Sequence, residues 1–128
     1  SMSDLFHEAV PDDYIEHVAR VMQQATWHTF QVLTKRSERL SRLLETKLRD
    51  AAKASHIWWG VSVENKRVGL PRISHLADSS AAVKFLSIEP LLEDLGRLDL
   101  RGIDWVIVGG ESGPRARPLR PSPRSTLA

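Results

Sequence analysis

The sequence predicts an α/β fold, a partial (β/α) barrel of the TIM type with about four parallel strands and crossover helices. Three observations carry this. Short, bulky apolar runs recur near residues 29–33 (TFQVL), 57–63 (IWWGVSV), 83–88 (VKFLSI) and 105–108 (WVIV). Their centres lie ~20–29 residues apart, the rhythm of successive βα units. Each run ends in a polar or charged group, as strands do when they deliver loops to one edge of a parallel sheet.

The elements follow in order. Pro11, Asp12 and Asp13 give a helix start, and Asp13 with Glu16 fits an acidic capping box. Ile15, Val18, Ala19, Met22 and Ala25 form one apolar stripe at helical spacing. After the first strand, Ser37 is the expected N-cap of a second helix with Leu40, Leu43, Leu44, Leu48 and Ala51 on one face. The second strand carries Gly60, a sign of close approach or of a bulge. Trp58 and Trp59 point to opposite faces, one toward helices and one toward the inner face. A weaker helix is expected over Leu70 to Ala77, with Pro71 in its first turn. The link from Leu91 to Asp104 is short for a helical crossover and has room for one helical turn and an extended piece at Leu98 to Leu100. The expected domain covers residues 1–119. Residues 120–128 are rich in Pro, Arg and Ser and read as a disordered or loosely docked tail.

Composition limits the chemistry. The 128 residues are 41% hydrophobic and 27% charged, ordinary for a globular domain. There is no cysteine, which removes disulfides, cysteine-ligated zinc, iron–sulfur ligation and thiol catalysis from this chain. No apolar run approaches the ~20 residues of a membrane span, and no secretory leader is visible, so the expectation is a cytoplasmic protein without membrane contact. His7, His17, His28, His56 and His75 lack metal-ligand spacing, and no phosphate-loop glycine pattern occurs.

The net charge of +2 is small, but its placement is uneven. Lys35, Arg36, Arg39, Arg42, Lys47, Arg49 and Lys53 crowd one segment, and Arg115, Arg117, Arg120 and Arg124 close the chain. A solvated helix face explains the first group more simply than a phosphate-binding patch. The candidate ligand site is the carboxyl edge of the sheet. It would gather Thr34, Lys35 and Arg36, then Glu64 and Asn65, then Glu89, then Gly109, Gly110, Glu111 and Ser112. Ser3, Asp4 and His7 join them if the first residues continue a strand. Loops after strands are polar in most proteins, so the bland reading of ordinary surface charge stays open. Gly109 to Gly113, with the arginines behind, could also offer backbone N–H groups to an anion.

The segments SMSDLFHEAVPDDYI, HTFQVLTKRSERL, GVSVEN, FLSIEPLL and RGIDWVIVGGESGPRARPL, in this order, resemble an uncharacterised phage-protein family placed among radical-SAM-like barrel proteins. The resemblance runs from Ser1 to about Leu119. It implies a barrel whose mouth is faced by the thirteen strand-end residues just named. In the family, an upstream cysteine cluster implies an iron–sulfur site and S-adenosylmethionine; it has no counterpart here. The expectation is therefore an internal piece of the barrel, without catalytic competence alone and with no cofactor of its own. The rival expectation is a standalone nucleic-acid- or protein-binding module using the basic helix 37–54 and the arginine tail. Four strands do not close a barrel, which takes about eight, so a homodimer is expected to cover the open inner face.

Overall fold

The computed structural model describes residues 4–89 and 97–108. In chain order the elements are α1 (Asp12–Gln24), β1 (Phe30–Thr34), α2 (Ser37–Glu45), α3 (Arg49–Ala52), β2 (Ile57–Val63), α4 (Lys66–Ala77), β3 (Lys84–Ile88) and β4 (Trp105–Val108). The four strands form one sheet in the order β1-β2-β3-β4, and every pairing is parallel. The expected α/β fold with a four-stranded parallel sheet and crossover helices is therefore present. Among the described residues the link from 97 to 104 contains no helix.

Sequential order fixes where the helices go. Right-handed crossovers that always advance in one direction place every helix on the same face. The buried residues agree with this. Ile15, Ala19 and Met22 of α1, Leu40, Leu43 and Leu44 of α2, Ala51 and Ala52 of α3, and Ile73 and Leu76 of α4 share one core with Ile57, Trp59, Val61 and Val63 of β2. This is the arc of a partial β/α barrel with the helices outside; on the inner face Phe85 is buried at the centre, while Leu33, Trp105 and Ile107 are exposed at the margins.

The strand register gives the arc its pitch. Ile57 opens β2 level with Phe30, the first residue of β1. Lys84 opens β3 level with Trp59, two residues further up β2. Trp105 opens β4 level with Phe85, one residue further up β3. The strand starts thus climb by three residues over three pairings, about one per strand, the stagger of an eight-stranded barrel of shear 8.

The two tryptophans divide as expected. Trp59 is fully buried on the helix side, edge-on to Phe6 with ring centroids 6.2 Å apart. Trp58 lies on the inner face and stacks on Trp105 at 5.6 Å and 6°. Gly60 marks a close approach rather than a bulge. A Cβ there would sit 2.5 Å from the ring of Phe85, which lies across it.

Four local expectations are corrected. α1 begins at Asp12 behind Pro11, and no side chain caps it. The acidic capping box does not form, because Asp13 already lies inside the first turn rather than at the N-cap; Asp12 pairs with Arg39 and Asp13 with Lys47. Ser37 is the first helical residue of α2 rather than its N-cap, which is Arg36. Its hydroxyl instead lies 2.9 Å from His75 Nδ1 and ties α2 to α4. α4 starts at Lys66, four residues earlier than Leu70, with Asn65 as N-cap and Pro71 inside the helix. The Asn65 side chain accepts a bond from Val68 N–H at 3.1 Å, which sets the start before Pro71 can. The opening residues are not a strand either: among the described ones, Asp4 to His7 form a turn, with His7 N–H bonded to Asp4 C=O.

Candidate functional site

The carboxyl edge of the sheet is built around two carboxylates. Asp4 arrives from the opening turn. That turn is fastened by Arg39, whose mostly buried guanidinium donates to the carbonyls of Phe6, His7 and Val10 and to Asp12 Oδ1 at 2.7 Å. So anchored, Asp4 reaches the end of β1. The buried Thr34 hydroxyl lies 2.8 and 2.7 Å from the two Asp4 oxygens and shares one proton between them. The same hydroxyl accepts from Arg36 N–H at 2.9 Å. Phe6 N–H donates to Asp4 Oδ1 at 2.8 Å, and Arg36 Nη1 to Oδ2 at 2.9 Å.

Glu64 stands beyond the end of β2 between two cations. Lys35 Nζ lies 3.0 Å from Oε1, and Arg72 Nη1 lies 2.7 Å from Oε2. Arg72 also donates to Ser62 C=O at 2.8 Å, which locks it against β2. Lys35 and Arg36 are neighbours in sequence and bind different carboxylates, so the two clusters meet at the tip of β1.

Both carboxyls are held as anions. Burial pushes Asp4 up. The hydrogen bonds from Thr34, Phe6 N–H, Arg36 and Lys35 N–H outweigh it and hold the group below its ordinary value of 3.8. Burial likewise pushes Glu64 up, and Lys35 and Arg72 together bring it below 4.5. Neither group is a proton donor near neutral pH. The arrangement can fix charge and orientation; it does not supply a general acid.

The charges are layered. The side chain of Lys35 is 55% exposed against 27% for Glu64, and that of Arg36 is 38% exposed against 18% for Asp4. Asp4 and Glu64 lie beneath Arg36 and Lys35, and Arg72 lies deeper still, behind Glu64. A ligand reaching this edge meets an ammonium and a guanidinium first.

Of the thirteen expected site residues, Asp4, Thr34, Lys35, Arg36 and Glu64 are brought together. Asn65 is adjacent, but its side chain is spent on capping α4. Glu89 follows β3 on the same edge, and its N–H bonds Val63 C=O at 3.2 Å; its carboxylate has no partner among the described residues. His7 turns away, its Nδ1 accepting from Ala9 N–H at 3.0 Å. Ser3, Gly109, Gly110, Glu111 and Ser112, with the tail beyond, lie outside the described residues. Arg72 was not singled out from sequence, and Arg39 only as one of the basic segment. An earlier start for α4 would have exposed Arg72, eight residues after its partner Glu64 and on the second turn of the helix.

The basic segment is less available than its composition implies. Lys35, Arg36, Arg39 and Lys47 are all paired to carboxylates, which weighs against a continuous phosphate-tracking surface. Among the described residues no group of three His, Asp or Glu side chains converges as metal ligands, and no helix is long and apolar enough to cross a membrane. An iron–sulfur cluster takes thiolate ligands; with no cysteine, this chain's residues do not fit one.

A family model described as a protein of unknown function (DUF5131) matches residues 1–127. No curated protein and no solved structure matches the chain.

Proposed function

The chain belongs to the family of proteins of unknown function DUF5131, and we propose that it forms the ligand-positioning edge of a cytoplasmic, phage-associated, radical-SAM-like barrel. It is not catalytic on its own. The carboxyl edge of the sheet holds an anionic group, a phosphate or carboxylate, against Lys35 and Arg36. One observation carries this reading: Lys35 and Arg36 are each more exposed than the carboxylate that orients them, while Arg72 holds Glu64 from beneath. Such a cation keeps its direction and still has N–H donors to offer, so an anion binds without first ordering two long side chains. Glu64 and Asp4 then act as positioning residues, not as reactants. Thr34, Phe6 N–H and Arg36 supply Asp4's bonds before any ligand arrives.

Calorimetric titration with inorganic phosphate tests it. The expected result is saturable binding that Lys35→Gln weakens about tenfold, the worth of one charge-assisted hydrogen bond, while Lys53→Gln leaves it unchanged. Equal weakening by the two variants would reduce the effect to net charge and overturn the proposal.

A further inference from the structure

We infer that two copies of this chain close into one eight-stranded β/α barrel, with β4 of each pairing in parallel with β1 of the other. The inference is independent of any ligand. It starts from the two sheet margins. Among the described residues nothing pairs with the outer side of β1 or of β4, so both present backbone donors and acceptors for another strand. The inner face at these margins is apolar and open: Leu33 on β1, and Trp105 and Ile107 on β4, are all exposed. α1 precedes β1 as a crossover helix precedes the strand it delivers, and Tyr14, Val21 and Trp27 on and after it are exposed as well.

The register says what fits there. One residue of climb per strand is the stagger at which eight strands close. Continuing that climb from β4 puts the partner's Phe30 level with Val106, and the partner's Gln31 level with Ile107. The faces agree. Phe30 and Val106 both pack toward the helix-side core, while Gln31 and Ile107 alternate to the inner face. A slip of one residue would oppose core and inner-face side chains, which is what fixes register in a sheet with one buried face. A two-fold axis along the barrel keeps all eight strands parallel and repeats the same junction twice, so no edge remains. The closed ring also sets two copies of the Asp4 and Glu64 clusters around one mouth.

Sedimentation equilibrium, and cross-linking of a chain carrying Gln31→Cys and Ile107→Cys, test this together. The natural sequence has no cysteine, so no other thiol interferes. Within one chain β1 and β4 are three strand spacings apart, ~14 Å, beyond the reach of a disulfide, whose Cα atoms lie within about 7 Å. The expected result is twice the chain mass for the unmodified protein, and a covalent dimer that migrates as a single species for the variant. A monomer at every concentration overturns the proposal and means that the chain's own residues cover the inner face. A ladder of larger cross-linked species also overturns it, since it reports open head-to-tail growth. A dimer of the unmodified protein whose cysteine variant folds but does not cross-link rejects the β4–β1 junction.

Discussion

Thr34 shows how a single hydroxyl organises the strand end. It is buried, it donates to Asp4, and it accepts from Arg36 N–H. Thr34→Val keeps the shape and leaves a partly buried carboxylate short of a donor. The expected loss is about 1–3 kcal/mol of stability, read by urea unfolding. Phosphate affinity should fall with it, because Asp4 no longer fixes Arg36. The two carboxylates also set the acid limit of the fold. Both folded values lie below the ordinary 3.8 and 4.5 of Asp4 and Glu64. Their contribution is therefore complete above those ordinary values and is lost as pH falls through the lowered folded ones. Unfolding midpoints should be flat through neutral pH and drop below about pH 4–5, and Asp4→Asn should make that drop shallower. Arg39 is a different kind of residue, a fork across three carbonyls and Asp12. Lysine cannot reproduce that geometry, so Arg39→Lys should loosen the opening turn and raise amide exchange at residues 6–10.

Among the elements, α4 was the hardest to read and β2 the easiest. Seven bulky or small residues in a row, buried throughout save for Trp58, leave β2 one interpretation. For α4 the true start signal, Asn65, has the chemistry of a ligand residue as well as of a cap. Pro71 then pulls the apparent start inward. Local signals compete there, and only the Asn65 to Val68 bond decides. The ion pairs were illegible for another reason. Asp4 and Arg36 are 32 residues apart, and which cation meets which anion depends on where the crossovers set each strand end. The strand-end rule nevertheless placed Thr34, Lys35, Arg36 and Glu64 on one edge, since in a parallel sheet direction alone puts those residues together. The joint between α4 and β2 is tested at Gly69, where a Cβ would collide with Val63 Cγ1. An alanine gains helix propensity of about 1 kcal/mol but must displace a short, branched, buried neighbour. Gly69→Ala should destabilise by about 1–3 kcal/mol. Combining it with Val63→Ala should cost less than the two changes summed, since the second relieves the clash made by the first.

At the scale of the whole molecule, the parallel arc does two things. It collects charge at one edge, and it leaves the other margins and the inner face apolar. The first follows from strand direction and the second from strand number, and both were expected from the rhythm of four βα units. The charged edge is where the account of function stands or falls. Amide-resolved NMR during titration with inorganic phosphate tests it most directly. The account predicts saturable shifts confined to residues 34–36 and 64–66, with the opposite ends of the strands, 56–58, 83–84 and 104–105, unmoved. Shifts centred on those opposite ends, or spread evenly along the basic helix α2, would contradict it.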